Sequence, residues 1–164
     1  MLVKNWMSKK LITADINDTM MDAVKLLKKH KILMLPVMKK GKLVGIVTDR
    51  DLKEGSASEA TSLDIHELIN LKNKTKVSEI MTRNPITVEP DYTVEETAEI
   101  LLNNKISGAP VVDQKGELVG MITQTNILKA LMSVTALSKK YILCLLARRQ
   151  AGIHEGGGRG YPEI

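Results

Sequence analysis

Apolar residues in this chain recur at helical spacing in two separate stretches. The residues concerned are Met20, Ala23, Val24 and Leu27 in the first stretch, and Val94, Ala98 and Leu101 in the second. Each stretch opens with a threonine followed three residues later by a carboxylate, Thr19 with Asp22 and Thr93 with Glu96, which is the spacing of a helix cap. The pattern predicts two equivalent amphipathic helices, each with its own start signal.

Short apolar runs of strand length surround each of these helices. An extended piece precedes the helix, and two strands follow it that are joined across Gly41 in one case and Gly116 in the other, as in a hairpin. A second helix is predicted directly after the threonine that ends each hairpin. The predicted strands are 11–14, 35–40 and 43–48 in the first half, and 86–88, 109–114 and 118–123 in the second.

The two halves are copies of one unit, because residues 7–38 match 81–112 and residues 41–52 match 116–127. One unit of about 50 residues buries little surface and is only marginally stable alone. We therefore predict an α/β (α+β) fold in which two β-α-β-β-α repeats pack sheet to sheet as a pseudo-twofold pair. The predicted divisions are 1–53 for the first repeat, 54–76 for a linker with a short helix, 77–135 for the second repeat, and 136–164 for a C-terminal tail.

Composition limits the classes of protein that fit this pattern. With 164 residues and 43% hydrophobic content, the chain can bury a proper core. The net charge of +5 is spread along the chain, which also has no Phe, three Tyr and one Trp, so a nucleic-acid surface is disfavoured. The single cysteine, Cys144, excludes an intrachain disulfide. With no signal-like or membrane-spanning apolar run, we expect a cytoplasmic protein without membrane contact.

Enzyme signatures are missing from the sequence. The segment "IHEL" at 65–68 lacks the second histidine of a zinc-binding helix, and His30, His66 and His154 are scattered. No phosphate-binding glycine loop follows a strand, since "EGGGRGYP" lies in the tail. We expect no catalytic residue, no metal site and no catalytic cofactor.

The repeated phrase "GIVTDRDL", copied as "GMITQTNI", carries the candidate chemistry. In each copy a strand passes through Gly-x-x-Thr directly into a helix, whose free backbone N–H groups attract anions. The Thr48 hydroxyl is placed to reach a phosphate, and the Asp51 carboxylate to accept from two ribose hydroxyls. The same Thr-x-x-Asp spacing is also that of an ordinary helix cap, and both interpretations stay open.

The whole pattern resembles a tandem pair of CBS domains, often called a Bateman module. The resemblance rests on "MSKKLITA" and "MTRNPITV" at the start of the copies, "ILMLPVM" and "ISGAPVV" in the middle, and the repeated phrase at the end. It implies a regulatory module that binds adenosine-containing ligands (AMP, ADP, ATP or S-adenosylmethionine) in two clefts between the copies. The alternative is a ligand-free dimerisation scaffold.

The resemblance also assigns residues to the two clefts. The first cleft would combine Ile46, Thr48 and Asp51 with Thr82, Pro85, Ile86, Thr87, Ile106, Ser107, Ala109 and Pro110. The second would combine Met121, Thr123 and Asn126 with Ser8, Leu11, Thr13, Ile32, Leu33, Leu35 and Pro36. Candidate phosphate partners are Arg50 and Arg83 in the first cleft and Lys129 in the second, although each of these also suits a solvated surface. Plain core packing is the alternative role of the apolar members.

The exchange of Asp51 for Asn126 predicts unequal clefts. A carboxylate accepts at both oxygens, whereas an amide has one acceptor and one donor. We therefore expect the Asp51 cleft to bind an adenosine ligand more tightly by about tenfold or more. The Asn126 cleft should be weak, empty or selective for something else.

The linker "TSLDIHELINL" and the chain order resemble acetoin-utilisation AcuB-like proteins, in which an ACT domain follows the CBS pair. The 28 residues from 137 onward are too few for a whole ACT domain, which suggests a truncated remnant. CBS pairs commonly form homodimers, and a partner protein that this module regulates is expected but unknown. The residues that could contribute to a dimer, or else to the internal core, are Val24, Leu27, Ile127, Leu131 and Val134.

Overall fold

The computed structural model describes residues 1–57 and 65–134. The predicted tail 136–164, with Cys144, and the centre of the predicted linker lie outside the described residues. Met1–Ala130 forms one compact unit, and only the first four residues of a second unit, Leu131–Ile164, are described. After a short 3-10 helix at Val3–Asn5, the elements are β1 (Ala14–Asp15), α1 (Met20–His30), β2 (Met34–Lys39), β3 (Lys42–Thr48), α2 (Asp49–Ala57), α3 (Ile65–Lys74), α4 (Val77–Ile80), β4 (Thr82–Arg83), α5 (Val94–Asn103), β5 (Gly108–Val112), β6 (Leu118–Thr123) and α6 (Gln124–Val134).

Both predicted helix caps are confirmed. The Asp22 backbone N–H donates to Thr19 Oγ1 at 3.2 Å, and Asp22 Oδ2 accepts from the Thr19 N–H at 3.1 Å. The corresponding distances between Thr93 and Glu96 are 3.1 and 2.8 Å. The hydrogen bond from the Thr19 hydroxyl lowers the pKa of the Asp22 carboxyl, and the bond from the Thr93 backbone lowers that of Glu96. Each carboxylate closes a reciprocal capping box and satisfies N–H groups at the helix start.

The predicted hairpins are also confirmed. Strand β2 pairs antiparallel with β3, and β5 pairs antiparallel with β6. Gly41 and Gly116 occupy the turns with φ of +77° and +80°, a backbone region that residues other than glycine rarely adopt. The hairpin turn therefore lies at the equivalent position in each repeat.

The sheets differ from the three strands per repeat that we predicted. The second sheet has only two strands, β5 and β6, because the predicted strand 86–88 contributes only an isolated parallel bridge from Val88 to Val111. In addition, the segment leading into each repeat pairs with the other repeat. Strand β4 pairs antiparallel with β3, with Thr82 opposite Ile46, so the first sheet has the order β1-β2-β3-β4. Reciprocally, Ser8 exchanges backbone hydrogen bonds of 2.8 and 3.0 Å with Met121 of β6. Edge strands leave N–H and C=O groups unpaired, and each repeat satisfies them with chain from its neighbour.

The connection between the repeats is more helical than its polarity suggested. Helix α2 continues to Ala57, so the predicted repeat boundary at residue 53 falls inside a helix. The predicted linker helix is present as α3, which packs against α1. Helix α4 was not predicted; Glu79 accepts from the Lys76 N–H at 2.9 Å at its start.

Each repeat has its own core, and each core includes residues from the other repeat's leading segment. Val77 and Met81 are buried in the first core, and Val3 is buried in the second. Leu27 and Ile127, which we considered for a dimer contact, are internal core residues instead. Of the other candidates, Val24 packs against the first core, Leu131 is exposed, and nothing is described of the Val134 side chain.

A third apolar cluster joins the two halves. It consists of Met34 from β2, Ile46 from β3 and Met121 from β6, with Leu11 packed against it. Met34 also lies against β5, because a Cβ built on Gly108 would be only 2.9 Å from its sulfur. The pair of repeats is thus held by paired strands and by a shared apolar contact.

Candidate functional site

The junction of β3 and α2 holds Asp51 rigidly. Asp51 Oδ2 accepts from the Thr48 backbone N–H and from Thr48 Oγ1, both at 2.7 Å. Thr48 Oγ1 accepts in turn from the Asp51 N–H at 3.2 Å. The cap interpretation of Thr-x-x-Asp is therefore correct, and it also fixes the carboxylate in one orientation.

The junction of β6 and α6 repeats this geometry with an amide. Asn126 Oδ1 accepts from the Thr123 N–H at 3.0 Å and from Thr123 Oγ1 at 2.7 Å. The Asn126 N–H lies 3.4 Å from Thr123 Oγ1. The backbone contact is longer than at Asp51, as expected when a neutral amide oxygen replaces a charged one.

The hydrogen bonds between Thr48 and Asp51 change the ligand contacts that the sequence suggested for these two residues. The Thr48 hydroxyl hydrogen is donated to Asp51, so that hydroxyl positions the carboxylate instead of donating to a phosphate. Asp51 Oδ2 has both lone pairs engaged, which leaves Oδ1 as the oxygen that can accept from a ligand. No described residue donates to Oδ1. The predicted two-oxygen contact with a ribose thus reduces to one oxygen with two lone pairs.

Residues assigned to one cleft from different repeats do come together at the paired strands. Thr82 lies opposite Ile46, two residues before Thr48, and Ser8 lies opposite Met121, two residues before Thr123. We call the pairs Thr48–Asp51 and Thr123–Asn126 the two Thr-boxes. The strand that leads into each Thr-box, β3 or β6, therefore pairs with chain from the other repeat.

The remaining predicted lining residues divide by burial. Leu33 is 68% exposed and Ile86 is 39% exposed, so both leave apolar surface that a ligand can cover. Thr13, Thr87 and Ser107 are exposed too, and Pro85 is half-buried. Those that serve mainly in packing are Leu35 and Ala109, fully buried in the two cores, Ile32 and Ile106, packed against these cores, and the buried Pro36 and Pro110.

The candidate phosphate partners differ in their present contacts. Arg50 Nε donates to Glu54 Oε1 at 2.7 Å, and this hydrogen bond raises the pKa of the Arg50 guanidinium. Arg83 Nη2 donates to the Ser78 carbonyl at 3.2 Å. Lys129 is exposed on α6. Each of these bonds uses one nitrogen of a guanidinium that has five N–H donors, so either arginine can keep its protein contact while it donates to a ligand.

Two methionines that we did not assign to the site lie directly over its strands. A Cβ built on Gly45 of β3 would be 2.5 Å from the Met81 sulfur, and one built on Gly120 of β6 would be 2.5 Å from the Met7 sulfur. The signal was present in the sequence, because each methionine opens its copy of the repeat and each glycine begins Gly-x-x-Thr. The sequence did not show that each methionine packs on the glycine of the other repeat.

Metal and membrane features are not found in the described part of the chain. Among residues 1–57 and 65–134, no three His, Cys, Asp or Glu side chains are grouped so that they could hold a metal ion. Within the same ranges no helix has the length and apolar character needed to cross a membrane.

Known proteins share this architecture and its sequence pattern. The CBS domain family matches residues 3–58 and 77–133. A CBS domain-containing protein of Dictyostelium discoideum is 38% identical over 134 residues, which cover 81% of this chain and 92% of that protein.

Solved CBS pairs are similar as well. The CBS domain pair of protein MJ0100, in complex with 5′-methylthioadenosine and S-adenosyl-L-methionine, is 39% identical with a TM-score of 0.68, covering 80% of this chain and 99% of that one. CBSX2 of Arabidopsis thaliana, in complex with AMP, is 30% identical with a TM-score of 0.68, covering 81% of this chain and 97% of that one. This chain belongs to the CBS domain family and contains a tandem pair of CBS repeats.

Proposed function

We propose that this protein is a regulatory module that binds adenosine-containing ligands (AMP, ADP, ATP or S-adenosylmethionine) in clefts between its two CBS repeats. The observation that carries the proposal is the Asp51 carboxylate, fixed by Thr48 with Oδ1 left to accept. The relatives that bind AMP, S-adenosylmethionine and 5′-methylthioadenosine are 30% and 39% identical over about the same residues.

The recognition chemistry follows from the free oxygen. The 2′- and 3′-hydroxyls of a ribose are adjacent donors, and a carboxylate oxygen with two lone pairs can accept from both. Since Thr48 already holds the carboxylate, little side-chain entropy is lost when the ligand binds. Charge-assisted hydrogen bonds of this kind are about twice as strong as neutral ones.

Aliphatic side chains would hold the adenine base. Leu33 and Ile86 are large apolar groups that the free protein leaves exposed, and covering them with a planar base removes apolar surface from water. The chain has only three Tyr and one Trp, so aromatic stacking has little part in this mode of binding.

The same proposal extends to the catalytic activity, location, subfamily and oligomeric state of the protein. We propose that the chain has no catalytic activity of its own, that it works in the cytoplasm, and that it is an AcuB-like protein. We propose also that it forms a homodimer, in which Leu102 of α5, 71% exposed, is a candidate contact residue. Light scattering of wild type and Leu102→Glu tests the dimer: a mass of two chains that falls to one in the variant is expected, and a monomeric wild type contradicts it.

Isothermal titration of the whole chain with AMP, ADP, ATP and S-adenosylmethionine tests the binding function. Asp51→Asn is the informative variant, because Asn126 shows that an amide can close the same box. We expect it to weaken binding at this cleft by about tenfold or more. Glu99→Gln, which removes one exposed carboxylate on α5, is the matched control and should bind as wild type does.

Two results would contradict the proposal. If none of the four ligands binds wild type, the chain is not an adenosine sensor, and the scaffold interpretation takes its place. If a ligand binds wild type and Asp51→Asn with equal affinity and stoichiometry, Asp51 does not contact it.

A further inference from the structure

The two Thr-boxes present opposite hydrogen-bonding groups to their surroundings. Thr48 engages Oδ2 of Asp51, so an acceptor, Oδ1, is left over. Thr123 engages Oδ1 of Asn126, so a donor, the Nδ2 amide, is left over. No residue in the described ranges accepts from that Nδ2.

The orientation of the Asn126 amide follows from its partners. The Thr123 backbone N–H can only donate, and it lies 3.0 Å from the Asn126 atom that closes the box. That atom must therefore be the oxygen, and a rotated amide would set two N–H donors against each other. The inverted polarity is thus imposed by the backbone.

We propose that the Asn126 cleft takes adenine nucleotides with a phosphate on the 2′ or 3′ ribose oxygen, whereas the Asp51 cleft requires a free diol. An amide donor accommodates a phosphate oxygen, which has lone pairs and no hydrogen to give. A carboxylate oxygen in the same position repels the phosphate and receives no hydrogen bond from it. This inference rests on the proposed function of the two clefts and assigns a different ligand class to one of them.

The charged residues near the two boxes also favour an additional anionic group at the Asn126 box over the Asp51 box. The first turn of α2 carries two carboxylates, Asp49 and Asp51, of which Asp49 pairs with Lys53 at 2.6 Å, and one cation, Arg50; the first turn of α6 carries no charged residue. The backbone of Ser8, which pairs with Met121 on the strand leading to Thr123, is followed directly by two cations, Lys9 and Lys10, whereas Thr82, which pairs with Ile46 on the strand leading to Thr48, is followed by one, Arg83. Both lysines are exposed. An additional anionic group is therefore less opposed at the Asn126 box than at the Asp51 box.

The decisive experiment exchanges the two residues. Asp51→Asn and Asn126→Asp each keep a group that closes the box, so each variant changes the free atom and preserves the cap. Titrations of the whole chain would use AMP, adenosine 2′,5′-bisphosphate and adenosine 3′,5′-bisphosphate. A thermal midpoint for each variant verifies that it is folded.

In wild type we expect a bisphosphate to bind without displacing AMP from the Asp51 cleft. Asn126→Asp should weaken the bisphosphate by about tenfold or more and leave AMP at the Asp51 cleft unchanged. Asp51→Asn should weaken the binding of AMP. It should also raise the number of bisphosphates bound from one to two, because both clefts would then contain an asparagine. Lys9 and Lys10 are exposed, so the double variant Lys9→Gln/Lys10→Gln is expected to fold as wild type does. It should also weaken binding of the bisphosphate and reduce the salt dependence of that binding.

The outcomes separate this inference from the proposed function. If AMP binds and neither bisphosphate does, or if a bisphosphate competes with AMP for the Asp51 cleft, the ligand class assigned to the Asn126 cleft is wrong and the sensing function stands. Equal bisphosphate affinity in wild type and Asn126→Asp likewise overturns it. If AMP and both bisphosphates all fail to bind, the proposed function and this inference fail together.

Discussion

The carbonyl oxygen of Leu33 accepts a hydrogen bond of 2.9 Å from the backbone N–H of Asp49, the first residue of α2. The second repeat has the same bond, 3.0 Å long, from the Gln124 N–H to the Ser107 carbonyl. The Gln124 side chain also donates to the Ile106 carbonyl at 3.2 Å. Each helix that carries a Thr-box is therefore tied to a segment assigned to the opposite cleft.

These ties predict that the two clefts are energetically coupled. A ligand that orders Leu33 in the Asn126 cleft also restrains the start of α2, so the next ligand meets a partly ordered site. We expect saturation of one cleft to raise the affinity of the other about fivefold, at the low end of usual coupling. Titration of a bisphosphate with and without saturating AMP measures this factor.

Reciprocity provides the control for coupling, because titration of AMP with and without the bisphosphate must give the same factor. Affinities that do not depend on the other ligand would show that the Leu33–Asp49 bond transmits nothing.

The closeness of Met81 to Gly45 predicts a large effect of one methyl group. Gly45→Ala places a Cβ 2.5 Å from the Met81 sulfur and 3.0 Å from the Thr82 carbonyl oxygen, so β3 and β4 must move apart. We expect a loss of about 1–3 kcal/mol in the free energy of unfolding, measured by urea denaturation. Gly41→Asn is the control, since its site has open space and Asn tolerates positive φ. Equal stabilities of the two variants would mean that the repeats adjust freely at this contact.

The capping boxes predict a contribution to acid sensitivity. The pKa values of Asp22 and Glu96 are lowered in the folded protein, so between about pH 5 and pH 3 the unfolded chain binds more protons than the folded one. Their contribution is therefore present at neutral pH and is lost as the pH falls through their folded-state pKa values.

Comparing urea midpoints near pH 7 and near pH 3 for wild type and Glu96→Gln tests the sign. The variant should lose less stability on acidification, because its amide does not titrate. The effect should be small, since Glu96 is exposed. A variant with a steeper acid loss than wild type would contradict the assignment.

The exchange of leading segments predicts that docking of the N-terminal segment stabilises the second repeat. Val3 is fully buried in the second core, and its N–H donates to the Tyr92 carbonyl at 2.9 Å. Val3→Ala should cost about 2 kcal/mol in the free energy of unfolding. Trp6, the single tryptophan, packs against the same core and reports on docking of this segment by its fluorescence.

We expect Trp6 fluorescence and far-ultraviolet circular dichroism to give one coincident unfolding transition, both shifted by Val3→Ala. The control is Lys4→Ala, which removes an exposed ion pair with Asp91 of 2.7 Å and keeps the backbone hydrogen bond from residue 4 to the Pro90 carbonyl. A fluorescence change at much lower urea than the loss of helix would show that the segment docks independently of the repeat.

The sequence by itself determined the repeat, its elements and their caps. Helical spacing from Met20 to Leu27, the Thr19–Asp22 box and the positive-φ turn at Gly41 are set by neighbours a few residues away in the chain. Such local interactions can be read from one stretch of sequence at a time. The Thr-x-x-Asp phrase likewise predicted both a cap and a site residue.

Only the tertiary structure decided how the copies share their strands and which atom of each box is free. The pairing of Thr82 with Ile46 and of Ser8 with Met121 depends on backbone edges that lie far apart in sequence, so no local pattern specifies it. The sequence distinguishes Asp51 from Asn126, but a side chain has two polar atoms, and the Thr123 N–H selects which one it uses. That selection leaves an acceptor in one box and a donor in the other.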